Sequence, residues 1–247
     1  MKRIVFLVLS CLSFVGIAQI TDVNKPFLVT ETSSFRYVTP LSSRQSLIPY
    51  EYVEKEAKDG RSRGYEYSPG TRTYGDDILT RNPIPSNEVR QGRAPSLVFD
   101  AYAAGGSPTD PSGAVGPNHY FTVFNTGFII YDKSGVALTG QLAVENIFSS
   151  GGCCDLTVSY DNAADRWVVS YLFSSGGAEI AVSDGPDPLT TGWNLYTISA
   201  IQDYQKLSVW SDGYYITENT GGTSKIWALE RDQMLAGNPA QIQGFNL

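Results

Sequence analysis

Three segments of this chain repeat one order of elements: a strand, a tight turn and a second strand. They are HYFTVFNTGFIIYDKSG from His119, DLTVSYDNAADRWVVSYLF from Asp155 and KLSVWSDGYYITEN from Lys206. Apolar and β-branched residues alternate with polar ones inside the strands, and Gly, Asn, Asp and Ser separate them, which is typical of antiparallel sheets. No segment has a helical pattern long enough for the crossover helices of a parallel sheet, so an all-β antiparallel architecture is predicted. The repeat favours a partial β-propeller of about three antiparallel blades, with a β-sandwich as the alternative.

The chain begins with the pattern of a secretory signal peptide over residues 1–18. Lys2 and Arg3 precede an apolar run shorter than the roughly twenty residues of a membrane-spanning helix, and small residues follow it. We expect cleavage after Ala18 and a secreted protein, extracellular, periplasmic or at the cell surface, with no transmembrane segment in the mature chain. A lipidated Cys11 is the alternative interpretation of the same segment.

Composition changes again near residue 95. Residues 19–95 are rich in Arg, Glu, Ser, Pro and Tyr, so they are predicted to form an extended polar leader or linker, with a short helix near residues 52–58. Residues 96–247 carry the strand pattern, and residues 231–236 resemble a helical turn. The predicted strands are Leu97–Tyr102, His119–Asn125, Gly127–Asp132, Leu156–Tyr160, Arg166–Phe173, Ala178–Ser183, Asn194–Ile198, Lys206–Val209, Tyr214–Asn219 and Lys225–Glu230. Because AQIQGFNL starts one more strand, we expect sequence beyond Leu247 to complete the ring.

Charge separates these two parts and limits the partners of the domain. From Leu97 to Leu247 there are five basic and fifteen acidic residues, a net charge of −10. Residues 19–96 have eleven basic and ten acidic residues. A domain so poor in Lys and Arg cannot form the basic surface that binds phosphate backbones, so we expect no nucleic-acid partner.

Several short motifs occur in a fixed order across the domain. They are DPSGAVGPNHY from Asp110, YDKSG from Tyr131, YDNAADRW from Tyr160, IAVS from Ile180 and YQKLSVWSDGYY from Tyr204. In this order they resemble a group of uncharacterised secreted bacterial β-propeller proteins, which look like distant relatives of the sialidase and Asp-box (BNR-like) propellers. The resemblance implies a propeller fold over residues 94–247 and an extracellular location, without establishing a substrate.

The two cysteines that remain after signal cleavage are neighbours, Cys153 and Cys154. The resemblance implies a disulfide between a cysteine at this position and one just before the IAVS strand, but Ala178 and Glu179 stand there. A disulfide between the adjacent cysteines and a pair of free thiols are the two alternatives, and a redox role is a third hypothesis.

Enzymatic chemistry has candidates in the sequence but no complete motif. Cleavage of sialic acids needs three arginines around the substrate carboxylate, and the domain has only Arg166 and Arg231. Other glycoside hydrolases need two carboxylates, and Asp110, Asp155 and Asp203 are the candidates because each precedes the first strand of a predicted blade. A glycoside hydrolase whose site is completed by missing blades is therefore the alternative function, and a structural cell-surface spacer is a second alternative.

Metal chemistry is limited by the histidine count. His119 is the single histidine of the chain, which argues against a zinc site of the usual kind, and we expect it to have a structural role. Calcium fits the acidic loops better, because this ion binds carboxylate, hydroxyl and carbonyl oxygens. The candidate ligands are Asp110, Ser112, Asp184 and Asp187, with turn formation as the alternative role.

The leading hypothesis is a secreted β-propeller module that binds an extracellular glycan or surface protein without catalysis of its own. The acidic, aromatic-bearing scaffold lacks an assembled catalytic set, and aromatic rings are the usual partners of sugar rings. The candidate ligand-binding residues are Tyr120, Trp193, Tyr214 and Tyr215. The four tryptophans Trp167, Trp193, Trp210 and Trp227 are otherwise expected to fill the core.

Overall fold

A computed structural model describes residues 25–51, 95–101, 109–125, 127–150, 152–173, 175–218 and 225–246 of the chain. The predicted signal peptide, the short helix predicted near residues 52–58 and most of the predicted leader lie outside these residues. Within them the fold is all-β, as predicted, with three antiparallel sheets and one short α-helix.

Each sheet begins at one edge with a strand that we call its inner strand. The first sheet has the order β3-β4-β5-β6, the middle sheet β7-β8-β9-β10-β2 and the last sheet β11-β12-β13-β14-β1. The strands are β1 Leu28–Glu31, β2 Ser34–Val38, β3 Ser112–Val115, β4 His119–Phe124, β5 Gly127–Asp132, β6 Leu142–Ala143, β7 Gly152–Asp161, β8 Arg166–Phe173, β9 Ala178–Ser183, β10 Trp193–Ile198, β11 Lys206–Val209, β12 Tyr214–Glu218, β13 Lys225–Leu229 and β14 Gln241–Asn246, and the helix is α1 Arg231–Ala236. The inner strands are therefore β3, β7 and β11.

Nine of the ten predicted strands and the predicted helical turn are confirmed. The prediction of a strand at Leu97–Tyr102 is wrong for its described residues, which join no sheet. Phe99 in this segment packs against Tyr120 and Tyr131 on the face of the first sheet that points away from the middle sheet. Phe99 therefore packs on the face of a sheet instead of extending one, whereas Leu97 and Val98 are exposed.

Two apolar cores separate the sheets. Phe121, Phe128 and Ile130 of the first sheet pack with Trp167 and Trp193 of the middle sheet. On the opposite face of the middle sheet, a second core holds residues from both the middle and last sheets. Its members include Val168, Ile180 and Tyr196 from the middle sheet and Tyr214, Ile216 and Trp227 from the last sheet. Each sheet thus stacks on the next through an apolar layer, as period-two alternation in strands permits.

The inner strand β7 contacts β3 on one side and β11 on the other, so the three inner strands lie next to one another. We call the end of the sheets at which these strands begin the junction end, and the opposite end the distal end. The three sheets do not close a ring among the described residues. Assignment to the β-propeller class therefore stays a prediction, although three stacked sheets fit it better than the two sheets of a β-sandwich.

Residues 27–50 form an outer strap that crosses the outer edge of every sheet. Strand β1 pairs with β14 of the last sheet, and β2 pairs with β10 of the middle sheet. The strap then reaches β6 of the first sheet through a bridge between Pro49 and Leu142. The sequence pattern predicted a leader over these residues and no strands in them. The strap satisfies backbone groups that an open sheet edge would expose to pairing with other chains.

The distal end is held by a buried ion pair between the middle and last sheets. Asp161 ends β7, and its Oδ2 accepts hydrogen bonds from Arg231 Nε at 2.7 Å and from Tyr214 Oη at 2.9 Å. Its Oδ1 accepts from the backbone N–H groups of Ala163 and Ala164, each at 3.1 Å. The carboxylate therefore closes its own turn and also anchors the start of α1, in which Arg231 is the first residue.

Candidate functional site

Backbone conformation marks the junction end as unusual. Among the described residues, four that are not glycine have left-handed φ angles, and three of them are Asp110 at 39°, Asp155 at 55° and Tyr204 at 57°. Asp110 lies two residues before β3 and Tyr204 two residues before β11. Asp155 lies two residues before Thr157, at which the regular register of β7 with β8 resumes. A left-handed position therefore recurs at the junction end of each sheet, before β3, before β11 and inside β7 ahead of its regular pairing with β8. Such positions persist only when their surroundings hold them.

Asp155 occupies the centre of this end and joins the three sheets. Its backbone N–H donates to Asn125 Oδ1, after β4 of the first sheet, at 2.6 Å. Its carbonyl oxygen accepts from Gln205 Nε2, before β11 of the last sheet, at 2.8 Å. Lys206 Nζ lies 3.9 Å from Asp155 Oδ1 and 3.6 Å from the centre of the Tyr204 ring. Gln205 is fully buried, so this connection lies inside the protein.

Two buried glutamates hold the neighbouring loops of the junction end. Glu179 accepts hydrogen bonds from the backbone N–H of Ser149 at 2.8 Å and from its hydroxyl at 2.7 Å. Glu218 accepts from the backbone N–H of Gln202 at 2.6 Å, and Lys225 Nζ lies 3.3 Å from its other oxygen. Both loops that lead into β7 and β11 are therefore fixed by side chains from the sheets.

A cleft of about 460 Å³ opens beside β3 at the junction end. Its lining combines one aromatic ring with three hydroxyl side chains, and none of the described residues that line it is charged. The lining residues are Ala101, Thr109, Pro111, Ser112, Gly113, Tyr120 and Thr122. This volume lies within the range of about 300–1,000 Å³ that is typical of small-ligand sites.

The Tyr120 ring is positioned by aromatic neighbours and by a glycine. Its centre lies 6.1 Å from the Phe99 ring and 6.2 Å from the Tyr131 ring. The hydroxyl of Tyr131 donates to the carbonyl of Ala101, which ties the segment that contains Phe99 and Ala101 to the sheet. A Cβ added at Gly113 would lie 2.6 Å from Tyr120 Oη, so the ring occupies the space that only glycine leaves there.

The three predicted catalytic acids all lie at the junction end. Asp110 and Asp203 precede β3 and β11, whereas Asp155 lies inside β7, before its regular pairing with β8 resumes. Asp110 is exposed next to the cleft, and Asp155 is 8% exposed between the sheets. Asp203 is exposed, and its Oδ1 accepts from the backbone N–H of Tyr204 at 2.8 Å. In the last sheet, Tyr204 holds the left-handed position that Asp110 and Asp155 hold in the other two sheets. The sequence pattern indicated Asp203 instead, one residue earlier.

The four predicted ligand-binding aromatics are placed in different environments. Trp193 and Tyr214 have no exposed surface, and Tyr214 bonds Asp161 in the distal ion pair. Their prediction as sugar-stacking residues is corrected, because a ring inside the core offers no face to a ligand. Tyr120 lines the cleft, whereas Tyr215 is half-buried on the last sheet, and its hydroxyl donates to Asp212 at 3.0 Å.

The tryptophans also depart from expectation at one position. Trp167, Trp193 and Trp227 are at most 1% exposed, as predicted for core residues. Trp210 is 68% exposed, which corrects the prediction that it fills the core. It follows β11 in the turn closed by its backbone N–H and the carbonyl of Gly213 at 3.1 Å. Its even position places it on the same face as the polar residues Lys206 and Ser208, a signal that the alternation already contained.

The predicted calcium ligands belong to two separate places. Asp110 and Ser112 lie at the junction end, whereas Asp184 and Asp187 lie in the loop between β9 and β10 at the distal end. Asp184 accepts from the Tyr37 hydroxyl at 2.9 Å, and Asp187 accepts from the backbone N–H of Leu189 at 2.9 Å. Among the described residues, no group of three or more His, Cys, Asp or Glu side chains could hold a metal ion.

Burial alone would raise the pKa of Asp187, but hydrogen bonds from Leu189 and Thr190 outweigh it and hold that pKa below its ordinary value. His119 Nε2 lies 3.7 Å from Asp187 Oδ1. The histidine thus faces a loop of the neighbouring sheet, where a structural role was expected.

Cys153 and Cys154 are joined by a disulfide bond at the start of β7. Of the two alternatives that the sequence left open, the structure contains the bonded one. Both residues are partly buried and pack against the core between the middle and last sheets. The pairing of β7 with β8 shifts register on both sides of Cys154, so this part of the strand departs from regular geometry.

Comparisons of the chain with protein-family models, with curated proteins and with solved structures give no match. The family resemblance therefore rests on the sequence motifs alone. None of the helices that the structure describes has the length and apolar character needed to cross a membrane.

Proposed function

We propose that this chain is a secreted, non-catalytic module of the β-propeller type that binds a neutral glycan in the Tyr120 cleft. The observation that carries the proposal is the cleft itself, whose lining combines the Tyr120 ring with Thr109, Ser112 and Thr122. Sugar rings stack on aromatic faces, and their hydroxyls pair with such side chains.

Charge favours a neutral sugar over an acidic one. Asp110 stands beside the cleft, and no described residue of the lining is positive. Both arginines of the domain are committed at the distal end. Arg231 bonds Asp161, and Arg166 donates to the carbonyl oxygens of Ala164 and Asp165, each at 3.0 Å. Neither is available to hold the carboxylate of a sialic acid at the cleft.

The test is titration of the full-length protein with a panel of neutral oligosaccharides by calorimetry. We expect Tyr120→Ala to weaken binding at least tenfold, about 1.4 kcal/mol, because the stacking face is lost. Gly113→Ala should also weaken binding, because the added Cβ displaces the Tyr120 ring. Tyr215→Ala is the matched variant, since it removes an equally half-buried tyrosine from another sheet.

Two results would overturn the proposal. They are the absence of binding of any neutral sugar of the panel by the wild type, and binding by Tyr120→Ala as tight as that of the wild type. A loss confined to Tyr215→Ala would move the site to the last sheet. Release of reducing sugar by the wild type, abolished in Asp110→Asn or Asp155→Asn, would establish the glycoside hydrolase alternative, which the shared position of both acids at the junction end favours.

A further inference from the structure

The disulfide between Cys153 and Cys154 directly precedes the residue that joins all three sheets. The carbonyl oxygen of Asp155 accepts a hydrogen bond from Gln205 Nε2, and the Asp155 N–H donates to Asn125 Oδ1. A bond between the side chains of neighbouring residues encloses the peptide unit between them, so the backbone torsions of both cysteines depend on it. The direction in which the chain enters Asp155 is therefore set by the disulfide.

A continuous series of hydrogen bonds leads from this residue to the cleft. Asp155 N–H donates to Asn125 Oδ1 at 2.6 Å, and Asn125 N–H donates to the carbonyl of Thr109 at 3.0 Å. Thr109 lines the cleft. The disulfide and the cleft thus share one rigid connection through Asn125, although they belong to different sheets.

The backbone conformation of Asp155 is a source of strain in this connection. Its left-handed φ of 55° costs about 1–3 kcal/mol for a residue that is not glycine and persists only under constraint. The constraints are the enclosed cysteine pair before it and the two hydrogen bonds from other sheets. If the cysteine pair is opened, the backbone at residues 153–155 can relax, and the N–H of Asp155 turns away from Asn125.

We propose that Cys153–Cys154 is a thiol–disulfide switch that controls the cleft through Asp155 and Asn125. The control of sugar binding rests on the proposed function, whereas the response of the junction does not. A small dithiol or a protein dithiol of the thioredoxin type supplies two electrons and two protons. The S–S bond breaks to give two thiols, and the reductant becomes a disulfide. Both cysteines are partly exposed.

The first measurement needs no sugar. Hydrogen exchange of the full-length protein is followed by mass spectrometry before and after treatment with a dithiol, and alkylation verifies that both thiols appear only after treatment. We expect at least tenfold faster exchange at the Asp155 and Asn125 amides after reduction. The amides of Ala163 and Ala164 at the distal end are the internal control, since Asp161 holds them independently.

The double variant Cys153→Ser with Cys154→Ser should exchange like the reduced wild type, with and without the reductant. Because reduction of the wild type needs no mutation, the test survives if this variant fails to fold. Equal exchange at Asp155 and Asn125 in both redox states would overturn the switch, as would free thiols in the untreated protein.

The second measurement couples the switch to the cleft. Reduction should weaken sugar binding by the wild type at least tenfold, and Asn125→Ala should bind equally in both redox states because the connection is cut. Redox-independent binding by the wild type, despite altered exchange at Asp155, would overturn control of the cleft. If no sugar binds, the proposed function fails, and the exchange data alone decide whether the disulfide controls the junction.

Discussion

Aspartates occur at both the distal end and the junction end of the sheets, but they have different roles at the two ends. At the distal end, Asp132 and Asp161 end strands and Asp187 lies in the loop after β9, and each accepts backbone N–H groups of its own turn. At the junction end, Asp110 precedes β3 and Asp155 lies inside β7 before its regular pairing with β8, and both adopt left-handed backbone. The position of an aspartate relative to its strand, and not its number in the composition, thus separates turn closure from a role at the candidate site.

The largest contrast is expected from Arg231→Met. This change leaves the buried carboxylate of Asp161 without its cation, and breaking such a pair costs about 3–5 kcal/mol. The same class of charge removal at the other end, Asp110→Asn, affects an exposed side chain and should cost at most about 0.5 kcal/mol. Urea unfolding of both variants measures the difference, and similar losses in both would contradict the proposed division.

Acid should weaken the distal end next. Burial by itself would raise the pKa of Asp161, but hydrogen bonds from Arg231 and Tyr214 outweigh it and lower that pKa below its ordinary value of about 3.9. A carboxyl with a depressed folded pKa stabilises the protein above its unfolded pKa, and this stability is lost as pH falls through the folded pKa.

The free energy of unfolding should therefore drop steeply below about pH 4 in the wild type. The drop should be smaller in Arg231→Met, which lacks the main source of the lowered pKa. An identical slope in both proteins would assign the acid sensitivity to other carboxylates.

A smaller effect is expected from the backbone of Asp155. Valine is β-branched and tolerates left-handed φ poorly, whereas asparagine adopts it more readily. Asp155→Val should therefore be less stable than Asp155→Asn by about 1–2 kcal/mol. Both variants lose the carboxylate, so their difference in urea unfolding isolates the conformational requirement of the junction end. Equal stability would mean that φ at this residue carries no strain.

The smallest effect concerns Trp210. Because its side chain is largely exposed, Trp210→Phe should change the free energy of unfolding by no more than about 0.5 kcal/mol. It should remove the most red-shifted part of the tryptophan emission and most of the quenching by iodide. Trp193→Phe, which alters a fully buried ring, is the comparison, and it should destabilise the protein while leaving iodide quenching unchanged.

Much of the fold could be predicted because its strands are local in sequence. The hairpins at Asp132 and Asp161 are indicated by the Asx turns between strands of alternating polarity. The strap could not be predicted, because β1 and β2 pair with strands more than 150 residues away and carry no local signal of their partners. Phe99 lies in a segment with the alternation of a strand, but it packs on the face of the first sheet instead, a choice that only tertiary structure makes.

The candidate site was predicted in part. The sequence indicated that Asp110, Asp155 and Asp203 precede the inner strands, yet it could not show that Tyr204 holds the third left-handed position. Trp193 and Tyr214 are aromatic residues of strands, but the sequence pattern alone cannot say which face of a sheet another sheet will cover. Tyr120 remains a candidate ligand-binding residue because its face of the first sheet holds the cleft.

The outer strap has a consequence for how the protein is made. Residues 28–50 leave the ribosome early, but their partners are synthesised far later. Leu142 emerges first, then β10 at residues 193–198, and β14 at residues 241–246 last. The earliest point in synthesis at which each sheet can gain its outermost pairing therefore follows the order first, middle, last. The C-terminal side of the strap is the first part of it whose partner exists.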